Sequence, residues 1–291
     1  MTGPAGPPAN SRRPSDPPGL AAELSLAVAT AEAAGAVLLE AFGRPATERR
    51  KGRHDVVTDL DLASERLIMD NLAGAFPEDG RLGEETGRSK RPPGGGSGRT
   101  WIVDPLDGTI NYAAGLPIWC VSIALAIGPT VVLGVIRDAV HDATFWAIRG
   151  GGAWRVSGGG AAGLTGGGVP LAVRRLRRGA DAVVSADPGA EADPVAEERI
   201  RAIRPYVRAI RVPGSIAWSL TALASGRLDG VLQVRGLQAV DVAAAGLLAS
   251  EAGALVTAAD GGPWIDVADP ATGRGIAAGR PGIHRILVGG G

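Results

Sequence analysis

The stretch from Trp101 to Tyr112, with the sequence WIVDPLDGTINY, constrains the fold more than any other part of the chain. Its first three residues form a short apolar run of the kind found in buried strands. Asp104 and Asp107 follow with Pro105 between them, and Gly108 comes directly after the second carboxylate. Proline fixes its own φ and has no N–H, while glycine adopts conformations that are closed to other residues. The pattern predicts a strand that ends at Asp104 in a tight turn, where both carboxylates converge on one point.

Two converging carboxylates suit a hard cation, and the residues after them suit a phosphate group. Thr109 offers a hydroxyl, and the N–H groups after Gly108 open a predicted helix, where phosphate binds readily. However, Asp-Pro and Asp-Gly are common turn dipeptides and aspartate is a common N-cap. A structural role therefore explains the bare pattern equally well, and the choice depends on finding further ligands elsewhere in the chain.

Charge balance and cysteine content exclude several classes of protein. The 291 residues include 30 acidic and 30 basic side chains, which leaves no electrostatic footprint for nucleic acid or an anionic membrane. The single cysteine, Cys120, excludes an internal disulfide framework and indicates a reducing compartment. Its apolar surroundings predict a small core residue rather than a catalytic thiol.

The N-terminal residues 1–19 are rich in Pro, Gly and Ser and contain no apolar run. Arg12 and Arg13 are not followed by the apolar segment that a secretory or twin-arginine signal requires. We therefore predict a disordered tail on a cytoplasmic protein.

One uncharged stretch, Leu116 to Ile136, is long enough to be weighed as a membrane span. Gly128 and Pro129 divide it into two β-branched segments of strand length, Cys120–Ile127 and Val131–Ile136. Two strands joined by a turn are the favoured interpretation.

Hydrophobic periodicity and turn residues predict the remaining elements. In chain order they are a helix over Leu20–Phe42, a polar loop or hairpin over Thr47–His54, a helix after Asp61, two strands around a glycine turn in Phe145–Val156, a strand over Ala182–Ser185, a helix over Pro194–Val207, a strand over Ala209–Val212, a helix over Ile216–Ser225, a strand over Leu228–Val234 and a helix after Ala239.

Three further carboxylates stand at positions that admit either a structural or a functional role. Asp61 falls near the first turn of a predicted helix, where it suits the helix dipole. Glu84 belongs to a pair of adjacent glutamates, which are usually solvated. Asp241 falls at the start of a helix of small residues, where an N-cap is the structural explanation. Gly214 and Ser215 open another helix, and their N–H and hydroxyl groups suit either N-capping or an anionic or polyol substrate.

The string from Asp104 to Asn111, DPLDGTIN, resembles the central signature of the inositol monophosphatase family, a group of Mg-dependent, lithium-sensitive phosphomonoesterases. Three other family elements occur in the same order. They are a D-x-V-T-x-x-D element that ends at Asp61, a G-E-E element that contains Glu84, and a second motif in which Asp241 is followed by small residues and Glu-Ala-Gly. The resemblance covers roughly Leu20 to Ile286.

The resemblance implies a layered αβαβα sandwich, of the α+β or α/β class, like that of inositol monophosphatase and fructose-1,6-bisphosphatase. Within it we expect an N-terminal α+β half over residues 20–155 that carries the metal-site motifs. A Gly-rich flexible insertion over residues 156–168 leads to a C-terminal α/β half over residues 169–291 that completes the site. Family members are commonly homodimers, which implies the same here.

The resemblance also implies roles for individual residues. The implied metal ligands are Glu84, Asp104, the Leu106 carbonyl, Asp107 and Asp241. Thr109 and Asp61 are implied to activate the attacking water, and Gly108, Thr109, Gly214, Ser215 and Asp241 to contact the substrate. The 3 histidines are scattered, so ligation by oxygen favours Mg²⁺, about two or three ions, or Mn²⁺, over zinc. Whether Lys51 belongs to the site is left open.

Substrate choice is less constrained. We expect a phosphoric monoester hydrolase that acts on a small phosphorylated polyol or sugar, with inositol 1-phosphate first. The family's substrate-binding glutamate, seven residues before the second-motif aspartate, is replaced by Val234, and the motif's tryptophan by Val240. Fructose 1,6-bisphosphate, histidinol phosphate and 3′(2′),5′-bisphosphate nucleotides therefore remain open as substrates. A metal-binding regulatory protein without catalysis is the alternative from a different class.

Overall fold

The computed structural model describes residues 19–44, 48–50, 56–89, 96–158, 168–176, 178–189, 193–271 and 273–289, with side chains left undescribed at 48–50 and 56–58. Residues 1–18 of the predicted tail, Lys51, and residues 159–167 of the predicted insertion lie outside this part of the chain.

The helices are α1 (Ala21–Ala41), α2 (Asp59–Ala75), α3 (Thr109–Ala113), α4 (Pro194–Ile203), α5 (Ile216–Ala224), α6 (Ala239–Glu251) and α7 (Pro281–Gly289). The strands are β1 (Glu48–Arg50), β2 (Val56–Thr58), β3 (Gly80–Gly83), β4 (Gly87–Arg88), β5 (Arg99–Asp107), β6 (Cys120–Ile127), β7 (Thr130–Asp138), β8 (Ala143–Ile148), β9 (Gly152–Ser157), β10 (Val169–Pro170), β11 (Val183–Asp187), β12 (Ala209–Arg211), β13 (Gly230–Leu237), β14 (Leu255–Thr257) and β15 (Arg274–Gly279).

Two large sheets organise the described residues. The first has the strand order β10-β9-β8-β7-β6-β5-β3-β4 and is antiparallel except where β3 pairs with β5. The second has the order β12-β11-β13-β15-β14, with parallel pairs on both sides of β11. A separate hairpin is formed by β1 and β2. Helices cover the faces of the two large sheets.

Helices form three layers around the two sheets. Helices α1 and α2 pack on the first sheet, α5 and α6 lie between the sheets, and α4 and α7 cover the outer face of the second sheet. Three hydrophobic clusters correspond to this arrangement, and the largest combines residues of both sheets with α5 and α6. The predicted αβαβα sandwich is confirmed.

The two strands predicted between Cys120 and Ile136 are confirmed as β6 and β7, a paired hairpin within the first sheet. A different segment, α1, is long and apolar enough for a membrane span by length and composition alone. Half of its most apolar window is buried in the protein, as is usual for the core helix of a folded domain.

The prediction that the strand after Trp101 ends at Asp104 is wrong, because β5 continues to Asp107. Asp104 pairs with Ser122 and Asp107 with Cys120, so two residues of β5 lie opposite one residue of β6. Such an extra residue forms a β-bulge, and Pro105, which has no N–H to donate, occupies it. The bulge replaces the predicted turn and brings the two carboxylates to the end of the strand.

The helix predicted over Pro194–Val207 ends earlier, at Ile203. Pro205 has no N–H to donate to the carbonyl oxygen of Arg201, so the α-helical hydrogen bonds stop before it, and a short 3₁₀ turn over Arg204–Tyr206 follows instead.

Close packing of α6 on the first sheet depends on a glycine in β7. A Cβ atom on Gly134 would lie 2.7 Å from the carbonyl oxygen and 2.8 Å from the Cα atom of Ala244. We expect Gly134→Ala to lower the free energy of unfolding by about 1–3 kcal/mol, because rigid backbone atoms must move. Urea denaturation measures this change.

Gly74 provides the matched control. It lies in α2 with open space around its would-be Cβ atom. Gly74→Ala should raise the free energy of unfolding, by up to about 1 kcal/mol, because alanine favours the helix. Equal effects of the same sign in the two variants would contradict the packing argument.

Candidate active site

The bulge in β5 and the start of α3 form the centre of the candidate site. Asp104 accepts a hydrogen bond from the N–H of Leu106 over 2.9 Å, which fixes the carboxylate against its own loop. Gly108 has φ of 95°, and a Cβ atom there would lie 2.8 Å from the carbonyl oxygen of Ile118. Glycine is therefore required where β5 passes into α3, as the sequence predicts.

The Thr109 hydroxyl lies between two acceptors at the first residue of α3. Its Oγ1 atom is 3.2 Å from Oδ1 of Asp61 and 3.0 Å from the carbonyl oxygen of Leu106. A hydroxyl has one proton to donate, so it serves only one of these acceptors at a time. Asp61 itself is buried near the start of α2.

Asp107 is held at the N-terminus of α5. Ser215 caps this helix through the N–H of Trp218, as predicted, and its hydroxyl also donates to Asp107. The N–H groups of Ile216 and Ala217 donate to the same carboxylate over 3.3 and 2.9 Å. The carboxylate thus receives the positive end of a helix.

Gly214, which precedes this cap, adopts a left-handed conformation beside α3. Its φ is 77°, and a Cβ atom there would lie 3.2 Å from Oδ1 of Asn111. The Asn111 amide donates to the carbonyl oxygens of Ile118 and Pro213, 2.8 Å away in each case. Asn111 therefore ties the loop before α5 to the motif that follows β5.

Asp241 reaches the site from α6. It is the third residue of that helix rather than its N-cap, which is Gln238, and its carboxylate accepts from the Gln238 N–H over 2.6 Å. The structural interpretation as an N-cap is therefore wrong in detail, because the carboxylate reaches back to the cap from one turn further on.

Glu84 lies in the turn between β3 and β4. Its N–H donates to the carbonyl oxygen of Val103 over 3.2 Å, and its carboxyl group contacts that of Asp104. It therefore joins the site next to the bulge of β5 and is not a solvated surface residue.

The four carboxylates strongly influence one another. Burial raises the pKa of Asp104 well above its ordinary value, and the charges of Glu84, Asp107 and Asp241 raise it further. Burial also raises the pKa of Asp107, although hydrogen bonds from Ser215 and the start of α5 oppose the change. These crowded carboxyl groups supply oxygen ligands and negative charge, and both fit a hard divalent cation.

These residues fit a divalent cation in the type of their ligand atoms and in their charge, but they do not form a complete coordination shell. No group of three or more His, Cys, Asp or Glu side chains among the described residues is already arranged to hold a metal ion. One reason for this arrangement is that the carboxylates of Asp107 and Asp241 are turned toward N–H donors of the protein.

A cavity of about 320 Å³ opens beside these residues. Its lining includes Asp107 and Asp241 of the predicted metal ligands and Gly214 and Ser215 of the predicted substrate contacts, whereas Glu84, Asp104 and Thr109 do not line it. Cys120, a buried core residue as predicted, lies behind this lining with its Sγ 3.7 Å from Oδ2 of Asp107.

The cavity wall on β13 is lined by Gln233 and not by Val234, the position that the family spacing indicates. Gln233 lines the cavity, whereas Val234 packs against the hydrophobic cluster under the second sheet. The register of β13 against β15 is irregular between Gln233 and Leu237, so counting back from Asp241 crosses a bulge. The cavity therefore presents a primary amide at this position.

Several residues of the site are missed by sequence reasoning. Ser185, Asp187 and Ser219 line the cavity from β11 and α5. Glu65 is buried on the face of α2 that carries Asp61, and a buried carboxylate four residues after Asp61 is the signal that helical spacing offers.

Without a divalent cation, the protein should lose stability as the pH rises from about 4 to about 8. Burial, with a contribution from Asp107, raises the pKa of Asp241 to about 7, although the Gln238 N–H opposes this and partial exposure to the cavity weakens it. Raised carboxyl pKa values mean that the folded state holds extra protons, and this stabilisation is lost as the pH rises through those values.

Thermal unfolding of metal-free protein across this pH range measures the effect. In Asp104→Asn, which lacks the most strongly shifted carboxylate, the decline in Tm should be clearly smaller, and Mg²⁺ added to wild type at pH 8 should restore stability. A wild-type Tm that rises between pH 5 and pH 8 in parallel with the variant would contradict the crowding of charges.

Comparison with known proteins identifies the family. A model of the inositol monophosphatase family matches residues 20–288. Inositol monophosphatase 2 of Solanum lycopersicum is 35% identical over 242 residues, 80% of this chain and 86% of the relative. Nus factor SuhB of Haemophilus influenzae is 33% identical, covering 82% and 86% of the two chains.

The structural comparison agrees. The crystal structure of extragenic suppressor protein suhB from Bartonella henselae matches with a TM-score of 0.79 and 32% identity, over 92% of this chain and 98% of that one. The chain therefore belongs to the inositol monophosphatase family and is a phosphoric monoester hydrolase.

Proposed function

We propose that the protein hydrolyses the phosphate monoester of a small polyol or sugar, with inositol 1-phosphate as the first candidate. The observation that carries the proposal is the position of Thr109, whose hydroxyl lies between Asp61 and the Leu106 carbonyl beside the carboxylate cluster. This arrangement supports a role for Thr109 and Asp61 as a proton relay beside the proposed cation site.

Phosphatases of this family are generally metal-dependent. In our proposal Glu84, Asp104, Asp107, Asp241 and the Leu106 carbonyl hold about two or three Mg²⁺ ions, with Mn²⁺ as a substitute. When bound, these ions supply positive charge for the phosphate oxygens and the leaving alkoxide and make water more acidic. Lithium inhibition is expected from the family resemblance.

Thr109 and Asp61 move the proton. As water attacks phosphorus, the Thr109 oxygen accepts a proton from it while the Thr109 hydroxyl passes its own proton to Asp61, 3.2 Å away. The new P–O bond forms as the ester P–O bond breaks, and the leaving alkoxide takes a proton from solvent. No side chain becomes phosphorylated.

The cavity provides the contacts for the rest of the substrate. Gly214 and Ser215, at the start of α5, stand beside Asp107 and suit the phosphate or a neighbouring hydroxyl. Gln233 and Asp187 are direct neighbours on the parallel strands β13 and β11 and line the same cavity. An amide next to a carboxylate both donates and accepts hydrogen bonds, as the hydroxyl groups of a polyol require.

Fructose 1,6-bisphosphate, histidinol phosphate and 3′(2′),5′-bisphosphate nucleotides are the alternative substrates. A regulatory role is a second candidate, favoured by the 33% identity to a relative named Nus factor SuhB. The resemblance further implies a cytoplasmic homodimer, and a single buried cysteine agrees with a reducing compartment.

Phosphate release from these four classes of substrate, with Mg²⁺ and with or without lithium, tests the proposal. Wild type should release phosphate from at least one of them only when Mg²⁺ is present. Asp104→Asn should lower kcat/KM by about 100-fold or more, since even the outer partners of metal ligands contribute about 10- to 100-fold.

Asp229→Asn is a matched control, because Asp229 is a buried carboxylate that pairs with Arg174 at the far end of β13. Its loss should lower stability and leave phosphate release within a few-fold of wild type. Retained turnover in folded Asp104→Asn would contradict the proposed catalytic site and leave the regulatory role as the better explanation.

Gln233 should influence substrate choice. We expect Gln233→Glu to shift the ratio of kcat/KM values by about 10-fold toward inositol 1-phosphate over fructose 1,6-bisphosphate, because a carboxylate accepts hydroxyl hydrogen bonds and repels a second phosphate. Val234→Leu, which changes the neighbouring core residue, should leave the ratio unchanged. A ratio that moves in Val234→Leu and stays constant in Gln233→Glu would contradict the assignment of the cavity wall.

A further inference from the structure

One face of α2 carries three buried polar side chains at helical spacing: Asp61, Ser64 and Glu65. Asp61 contacts Thr109, and the Ser64 hydroxyl donates to the carbonyl oxygen of Pro105 over 3.2 Å. Glu65 has no such direct contact with the β5 motif among the hydrogen bonds of the described residues. Its contacts point to a different part of the site.

Glu65 binds the turn that follows β3. Its Oε2 atom accepts from the N–H of Glu85 over 2.8 Å. Its Oε1 atom accepts from the N–H of Thr86 over 2.9 Å and from the Thr86 hydroxyl over 2.5 Å. Both carboxylate oxygens of a side chain that is only 1% exposed are thus used to hold two consecutive residues of one turn.

The strand before this turn passes directly over the same carboxylate. A Cβ atom on Gly83 would lie 2.5 Å from Oε1 of Glu65 and 2.6 Å from Cε of Met69. Any other residue at position 83 would displace Glu65 from the turn. Glycine and glutamate together therefore fix the distance between α2 and the end of β3.

Glu84 stands between these two fixed points. Gly83 precedes it, Glu85 and Thr86 follow it, and its own N–H donates to Val103 of β5. Its carboxyl group contacts Asp104. The position of Glu84 relative to Asp104 therefore depends on the turn that Glu65 holds.

We propose that Glu65 is a positioning residue that holds Glu84 against Asp104 and thereby sets the affinity of the site for its first divalent cation. This inference rests on the proposed metal-dependent function and names a residue beyond the ligands themselves. Three hydrogen bonds from the turn to the Glu65 side chain fix the backbone that follows Glu84, so Glu84 and Asp104 are in place before the cation binds.

Glu65→Gln tests this role with little change in size. The amide replaces one acceptor oxygen by an NH₂ group, which faces an N–H donor of the turn and repels it. We expect the affinity for Mn²⁺, measured by titration calorimetry on the full chain, to fall by about 10-fold or more. The Mg²⁺ concentration for half-maximal phosphate release should rise by a similar factor, while kcat at saturating Mg²⁺ stays within about threefold.

Glu251→Gln is a matched control. Glu251 likewise accepts two backbone N–H groups in a turn of the first sheet, from Gly150 over 2.9 Å and from Gly152 over 3.0 Å. That turn, between β8 and β9, carries none of the predicted ligands. We expect a loss of thermal stability in Glu251→Gln with unchanged Mn²⁺ affinity, which separates positioning from stability.

Gly83→Ala is the second variant, in case Glu65→Gln does not fold. It removes no hydrogen-bonding group but displaces the Glu65 carboxylate. It should therefore also weaken Mn²⁺ binding and speed hydrogen exchange at the amides of Glu85 and Thr86. Wild-type Mn²⁺ affinity in both folded variants, or equal weakening in Glu251→Gln, would overturn the proposal.

Direct Mn²⁺ binding also separates this inference from the proposed function. If wild type binds Mn²⁺ and releases no phosphate from any substrate, the hydrolytic proposal fails, and the effect of Glu65→Gln on binding still decides the role of Glu65. If wild type does not bind Mn²⁺ at all, the positioning role is overturned together with the metal site.

Discussion

The fold must hold together the four carboxylates of the candidate site, whose negative charges repel one another. Three of the four carboxylates are fixed by N–H or O–H donors of the protein that are independent of one another. Asp104 is held by Leu106 within its own loop, Asp107 by the start of α5, and Asp241 by the residue that precedes α6. A hydrogen bond to a carboxylate is stronger than one between neutral groups, so these donors offset the repulsion inside a largely buried site. A cluster of this charge suits the metal ions on which phosphatases of this family generally depend.

The layered fold explains how donors from distant parts of the chain reach one site. Helices α5 and α6 lie between the two sheets, and their N-termini point into the cavity beside the end of β5. The middle layer can approach the first sheet closely because α6 is rich in alanine and glycine and meets Gly134 of β7. The same packing that buries the largest hydrophobic cluster therefore sets the distance between Asp241 and the carboxylates of β5.

The sequence is sufficient to predict the elements and the cap and turn positions whose signals are local. The strands β6 and β7, the cap at Ser215 and the flexible position at Gly108 all follow from residues next to one another. The sequence predicts the wrong shape for the segment from Asp104 to Asp107, because the bulge at Pro105 depends on the register of β5 against β6. The role of Glu65 does not follow from the sequence for a related reason. Its hydrogen-bond partners lie about twenty residues further along the chain, and no local pattern indicates these partners.

The cavity wall on β13 depends on an irregular stretch of that strand. Three residues of β13 lie opposite the single residue Gly275 between Gln233 and Leu237. Val234, which is half-buried, packs against the hydrophobic cluster under the second sheet, and the cavity wall is polar. Gln233 is neutral and lies beside Asp187, so this wall combines an amide with a carboxylate and can both donate and accept hydrogen bonds. For the proposed function, the hydroxyl groups of an inositol-type substrate are compatible with this polar wall.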